Sequence, residues 1–200
     1  MAVELDNKLS DYLRSLNIPN LEVKNEDILS FGFNSLGSYK VIANIPYYLT
    51  GKIIRLISET GNPPTTAVLL VQKEIADKLA AKPGDLSVLG LTCQYFWQVD
   101  KGAIVTADKF DPPPKVNSQV VKLTPIKQTL TLEKQKELFR LIKIGFSSKR
   151  KTILNNLASG YRVDKKQIET LLKTADIESS RRAQTLTIDE WKTLLNTIAF

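Results

Sequence analysis

Histidine is absent from this 200-residue chain, and there is a single cysteine. Without imidazole there can be no serine–histidine or cysteine–histidine dyad, and most zinc sites are excluded as well. One thiol, Cys93, rules out an internal disulfide and a thiolate metal cluster. It stands in the apolar run Leu89 to Trp97, where packing is the expected role. No stretch is long and apolar enough to span a membrane. The opening residues, Met1 to Asp6, have neither a basic start nor an extended apolar segment, so no secretory signal is expected and a cytoplasmic location is. Any chemistry must use amides, carboxylates, aromatic rings and main-chain groups, and no metal is expected.

Acidic residues are scarce only in part of the chain. The net charge is +7, yet residues 1–126 balance at 13 basic against 13 acidic, while residues 127–200 carry 15 against 8. A basic module joined to a neutral one fits a polyanionic partner, although a solvated helical face has the same composition.

The apolar spacing changes at about the same place. Short apolar runs alternate with helical patterns up to Pro125. Strands are expected at Ala2 to Leu5, Leu21 to Lys24, Tyr39 to Ala43, Thr65 to Val71, Val99 to Thr106 and Ser118 to Leu123. Helices are expected at Asn7 to Leu16 (with Leu9, Leu13 and Leu16 on one side), Leu49 to Ser58, Gln72 to Ala81 and Ser87 to Trp97. This alternation predicts a largely parallel sheet covered on both faces, closed by an antiparallel pair. Beyond Pro125 only helical spacing remains: Leu132 to Phe146, Thr152 to Leu157, Lys165 to Lys173 and Ile188 to Ile198, with Asp164 and Thr187 as N-caps. The expected organisation is an α/β domain over residues 1–126 and a small, basic, all-helical domain over 127–200.

Asn44-Ile45-Pro46-Tyr47 follows the apolar run Val41-Ile42-Ala43. It reads as a strand that stops and presents an amide, a carbonyl and an aromatic ring. The Asn44 side-chain oxygen and the Ile45 carbonyl can each accept a hydrogen from an exocyclic amino group, and Tyr47 can stack on the ring that carries it. Pro46 biases Ile45 to an extended backbone, which aims that carbonyl. An ordinary strand-to-turn exit would use the same four residues. Three prolines in the loop Phe110 to Ser118 keep it extended and out of any sheet ladder. They hold Phe110 at a rim where it can close over a base opposite Tyr47, or else tuck into the core, and Lys115 can meet a phosphate. Glu4, at a strand end, suits ribose hydroxyls or a helix start. Asp27 suits an adenine amino group or a turn. Ser147-Ser148-Lys149-Arg150-Lys151 is a compact basic run at the opening of a helix, and Arg181-Arg182 is a smaller one. Both suit phosphate oxygens or a solvated face.

Taken in order, these segments resemble the ribosomal RNA adenine dimethyltransferases of the KsgA family over nearly the whole chain. Val3-Glu4-Leu5-Asp6 resembles the family's acidic strand end, and Glu26-Asp27 its adenine-binding segment. Asn44 to Tyr47 resembles the catalytic Asn-Leu/Ile-Pro-Tyr motif. Val71-Gln72-Lys73-Glu74 followed by Leu86-Ser87-Val88-Leu89 resembles the middle section. Phe110 to Ser118 resembles the Phe-x-Pro-x-Pro-Lys-Val-x-Ser loop, and Phe146 to Leu157 the basic helix that opens the small domain.

The resemblance implies a Rossmann-like class I methyltransferase sheet followed by the helical domain. It also implies S-adenosylmethionine as methyl donor and transfer to N6 of two adjacent adenosines in small-subunit ribosomal RNA. The implied catalytic residues are Asn44, Ile45, Pro46, Tyr47 and Phe110. Glu4, Asp27 and Asn44 would bind the cofactor, and Lys115, Lys149, Arg150 and Lys151 the RNA of a pre-ribosomal particle. A monomer is expected. The family also has an N-terminal helix and a strand ending in a glycine-rich loop, and the chain begins at the strand after them. The sheet is therefore expected to be incomplete at its N-terminus, with a gap between the Ala2–Leu5 and Tyr39–Ala43 strands. Two other readings remain open: a non-catalytic RNA-binding assembly factor, and a large-subunit adenine N6-methyltransferase.

Overall fold

The computed structural model describes residues 1–198. Strands and helices alternate through the first 96 residues: β1 (Ala2–Glu4), α1 (Asn7–Ser15), β2 (Val23–Asn25), β3 (Lys40–Asn44), α2 (Thr50–Glu59), β4 (Thr66–Gln72), α3 (Lys73–Leu79) and α4 (Val88–Phe96). The strands β5 (Trp97–Val105) and β6 (Ser118–Pro125) follow, and then come α5 (Leu132–Gly145), α6 (Ile153–Tyr161), α7 (Lys165–Thr174) and α8 (Ile188–Thr197). The elements fall where the spacing places them, to within a few residues.

The six strands form two sheets. β1 and β2 make a parallel pair of their own, and the other four run in the order β3-β4-β6-β5. β3 and β4 are parallel, whereas β6 is antiparallel to both β4 and β5. The closing pair, β5 with β6, is antiparallel as expected, and the β4–β6 pairing is the one that departs from a largely parallel sheet. Among the described residues, the outer edges of β1 and β3 pair with no strand.

Coverage also differs from expectation. In register, Val41 and Ala43 stand beside Ala67 and Leu69, which stand beside Leu123 and Val121. This face is buried, in one cluster with Ile53, Ile54 and Ile57 of α2 and Leu91 and Cys93 of α4. The opposite face carries Ile42, Val68, Leu70 and Val120, and Ile42 is 84% exposed. A sheet face leaves water only where another element packs over it, and on this side of β3 none does.

The same holds for α1. Asp6 caps the helix by accepting from the Leu9 N–H, and an apolar side is present as the spacing predicts. Leu9, Tyr12 and Leu16 nevertheless stay exposed, and Ser10 is the only buried residue among the first 32.

Each helix of the last third starts on a side-chain cap, supplied by Thr131, Thr152, Asp164 and Thr187. Thr187 closes a full capping box with Glu190. These caps satisfy N–H groups that have no partner within the helix. Helix crossings here are close. A methyl group at Gly145 would overlap the Trp191 ring, and one at Gly160 would overlap the Ile144 side chain. The helices dock on the sheet part through Tyr95 and Phe96 against Phe139. Gln184 adds a two-way bond: its carbonyl accepts from the Gly84 N–H at 2.9 Å, and its amide donates to the Gly84 carbonyl at 2.7 Å.

Candidate functional site

Asn44 is the last residue of β3, exposed, and on the uncovered face beside Leu70. No hydrogen bond with another described residue occupies its side chain. The next side chain, Ile45, is 3% exposed and anchors the strand end in the core. Pro46 keeps the backbone extended (φ −52°, ψ 130°), and a single 3₁₀ turn, Tyr47–Leu49, leads into α2. An amide is thus presented at the carboxyl end of a parallel strand, where open α/β sheets bind ligands.

The half-buried ring of Tyr47 is held at its far end. Its hydroxyl shares a hydrogen bond of 2.9 Å with that of Ser118. Ser118 is fully buried, opens β6, and ends the proline loop. Because β6 runs antiparallel, its first residue pairs with Gln72 at the carboxyl end of β4. Adjacent strands lie about 4.8 Å apart, so β6 is roughly 10 Å from β3, and the Tyr47 side chain bridges toward it. The loop is fixed at its base by Asn117. The Asn117 side chain accepts from the Ala107 N–H at 3.1 Å, and its carbonyl accepts from the Lys73 N–H at 2.9 Å. Phe110 is half-buried on this loop, and its ring and that of Tyr47 are not in contact with each other. Lys115 is exposed three residues before Ser118. The two segments singled out in the sequence therefore meet at one sheet end. The bond that joins them was not foreseen, because Ser118 carried no signal beyond its place in the loop.

Glu4 ends β1 of the other sheet, in register with Asn25 at the end of β2, and Asp27 follows two residues beyond that strand. Each carboxylate spends one oxygen locally. Glu4 Oε1 accepts from the Asp6 N–H at 2.8 Å, and Asp27 Oδ1 accepts from the Leu29 N–H at 2.9 Å. The helix-start and turn readings of these residues are thus realised, while a second oxygen on each remains for a ligand. No hydrogen bond or ion pair joins either residue to Asn44 or Tyr47.

Lys149, Arg150 and Lys151 sit in the loop between α5 and α6 rather than in a helical turn, since the helix starts only after the Thr152 cap. All three are exposed, and none forms an ion pair among the described residues. The loop is built around Asn156, a buried residue that sequence reasoning passed over. Its side-chain amide donates to the carbonyls of Gly145 (2.5 Å) and Ser148 (3.0 Å), and its oxygen accepts from the Ser147 hydroxyl (3.3 Å). Arg181 instead pairs with Glu190. Cys93 is buried, and burial pushes its thiol up to about 12, so it packs and does not react. Among the described residues, no group of three or more carboxylate or thiol side chains is placed to hold a metal, and no helix is long and apolar enough to cross a membrane.

This architecture is that of the Rossmann-like methyltransferases. It superposes on a dimethyladenosine transferase from Plasmodium falciparum with a TM-score of 0.79, covering 96% of this chain and 78% of that one at 28% identity. It also superposes on the 23S rRNA methyltransferase ErmE with a TM-score of 0.73, covering 98% and 80%, where the 22% identity supports the fold alone. The family model for ribosomal RNA adenine dimethylase matches residues 1–199, and the chain belongs to that family of S-adenosylmethionine-dependent methyltransferases. Among curated relatives, the ribosomal RNA small subunit methyltransferase A of Dehalococcoides mccartyi is 40% identical over 97% of this chain and 69% of its own length. That of Alkaliphilus oremlandii is 35% identical over 100% and 74%.

Proposed function

We propose that this chain transfers methyl groups to N6 of adenosines in small-subunit ribosomal RNA during ribosome biogenesis in the cytoplasm, acting as a monomer. Residues 1–126 would carry the transfer chemistry and residues 127–200 would hold the RNA. The observation that carries this reading is the Tyr47–Ser118 bond, which holds the strand end bearing the Asn44 amide and the base of the proline loop at one end of the sheet.

The N6 lone pair of adenosine is delocalised into the purine and is a weak nucleophile. The Asn44 side-chain oxygen and the Ile45 carbonyl accept the two N6 hydrogens and turn the lone pair out of conjugation. Tyr47 and Phe110 take the base between their faces, which offsets part of the cost of unstacking it. Positioning for in-line attack then supplies much of the rate, and no strong base is needed, because the nitrogen becomes acidic only once methylated. S-adenosylmethionine supplies the electrophilic methyl group. The residues present fit its nucleoside part: the outer oxygens of Glu4 and Asp27 suit a ribose diol and an adenine amino group, and Asn44 lies at the reacting end. Lys115 and Lys149 to Lys151 meet backbone phosphates.

The test is incubation with methyl-labelled S-adenosylmethionine and, in parallel, immature small subunits and large-subunit ribosomal RNA, with binding to each measured as well, comparing the natural chain with Asn44→Ala. Label in adenine that falls about 10²-fold or more in the variant is expected. RNA binding without any transfer would replace the proposal by the non-catalytic assembly factor. Label confined to large-subunit RNA would replace it by the large-subunit adenine N6-methyltransferase. The relatives at 35 to 40% identity named for the small subunit favour the first outcome.

A further inference from the structure

Two open cavities flank the crossing of α6 over α5. One, of about 620 Å³, lies between α2 and α5 and is rimmed by Arg55, Lys136, Arg140 and Lys143 against one carboxylate, Glu59. The other, of about 830 Å³, lies between α6 and the start of α7 and carries Lys151, Lys165 and Lys166 against Asp164. Ser159 lines the second and its neighbour Gly160 the first, so the two adjoin.

Neither acid neutralises its cavity. Glu59 is paired with Arg55 at 2.8 Å, which leaves Lys136, Arg140 and Lys143, and Asp164, which caps α7 by accepting from the Lys166 N–H at 2.7 Å, stands against three lysines. Lys136, Arg140 and Lys143 form no ion pair among the described residues. Glu137, on the same helix, is already paired with Lys134, and Glu133 stands one turn before Lys136. The three cations are spaced i, i+4, i+7, which puts them on one side of α5 along roughly 10 Å of its axis. Over that length one strand of a nucleic-acid duplex presents about three phosphates.

We infer that this α5 stripe, with the cavity it borders, grips the sugar–phosphate backbone of RNA as a second contact surface, separate from the strand ends and continuous past Ser159 and Gly160 with Lys151 and the start of α7. A row of unpaired cations beside an open cavity is matched by a row of phosphates, each contact releasing counterions. The inference rests on the proposed ribosomal RNA substrate and adds where the RNA lies.

The test is binding of the full chain to a small-subunit ribosomal RNA transcript, by fluorescence anisotropy over a salt series, for the natural protein and for K136Q/R140Q/K143Q. The logarithmic salt slope is expected to become shallower by about 2 to 3. It should recover in the charge-keeping variant K136R/K143R, and it should change by less than about 1 in K8Q/K82Q/K173Q, which removes three exposed charges elsewhere. All the substituted side chains are exposed, so folding is expected to be retained, with circular dichroism as the check. An unchanged slope in the α5 variant, or an equal fall in the control, overturns this inference while leaving the proposed function intact. Failure of the natural chain to bind RNA at all overturns both.

Discussion

Replacing Tyr47 by Phe removes one hydroxyl and leaves the ring. Its hydrogen-bond partner, Ser118, is fully buried, so the Ser118 hydroxyl is left without a partner where water cannot reach it. A neutral hydrogen bond contributes about 1 kcal/mol net, whereas an orphaned buried polar group costs about 1–3 kcal/mol. Tyr47→Phe is therefore expected to cost about 1–2 kcal/mol. Ser118→Ala should cost less, because the half-buried Tyr47 hydroxyl can turn to solvent. The double variant should be no worse than Tyr47→Phe alone, which gives a coupling of about 1 kcal/mol in a double-mutant cycle. Urea unfolding followed by the fluorescence of the buried Trp97 and Trp191 measures this. With a slope near 2 kcal/mol per molar, the Tyr47→Phe midpoint should fall by roughly 0.5–1 M. Additive single effects, or a Tyr47→Phe variant as stable as the parent, would show that this bond does not tie the two segments together.

Two further outcomes are expected. No apolar side chain of α1 is buried, so its amides should exchange with deuterium at least about 10²-fold faster than those of the core turns of α5, through local opening; equal protection would contradict this. Hydrogen bonding from Arg181 holds the Glu190 carboxyl below its ordinary 4.5. A depressed carboxyl stabilises the fold above its ordinary range and ceases to do so as pH falls through the lowered value. Glu190→Gln should thus cost about 1–2 kcal/mol near neutrality and progressively less below about pH 4, and urea midpoints at pH 7 and pH 3 showing the same penalty would refute it.

What could be read from the sequence was what is local to it. The stop of β3 at Asn44 and the position of the proline loop from Phe110 are written in prolines and in the end of an apolar run, although the loop bends at Phe110 to Pro112 and again at Lys115 and Val116 rather than running extended. The switch from helix to strand falls at Trp97 rather than after it, and the indole N–H of this buried residue donates to the buried Ser58 hydroxyl. The meeting of Tyr47 with Ser118 spans 71 positions, and no periodicity encodes a pairing at that range. Periodicity also reports that α1 has an apolar side without reporting whether anything covers it. The uncovered side of β3 was hidden for the same reason. The sequence does not decide between a local cap and a ligand contact at Glu4 and Asp27, because one carboxylate oxygen can close a turn while the other faces outward.

Asn156 gives the loop of Lys149 to Lys151 its shape from beneath, by three hydrogen bonds made inside the protein. In the proposed function, those cations meet RNA from a scaffold that is already set. The entropy of arranging the main chain is lost when the domain folds, not when the complex forms. Association through this loop should then resemble docking onto a rigid stencil, with fast encounter and little structural change, in contrast to the coupled ordering shown by arginine-rich tails that are unstructured until bound.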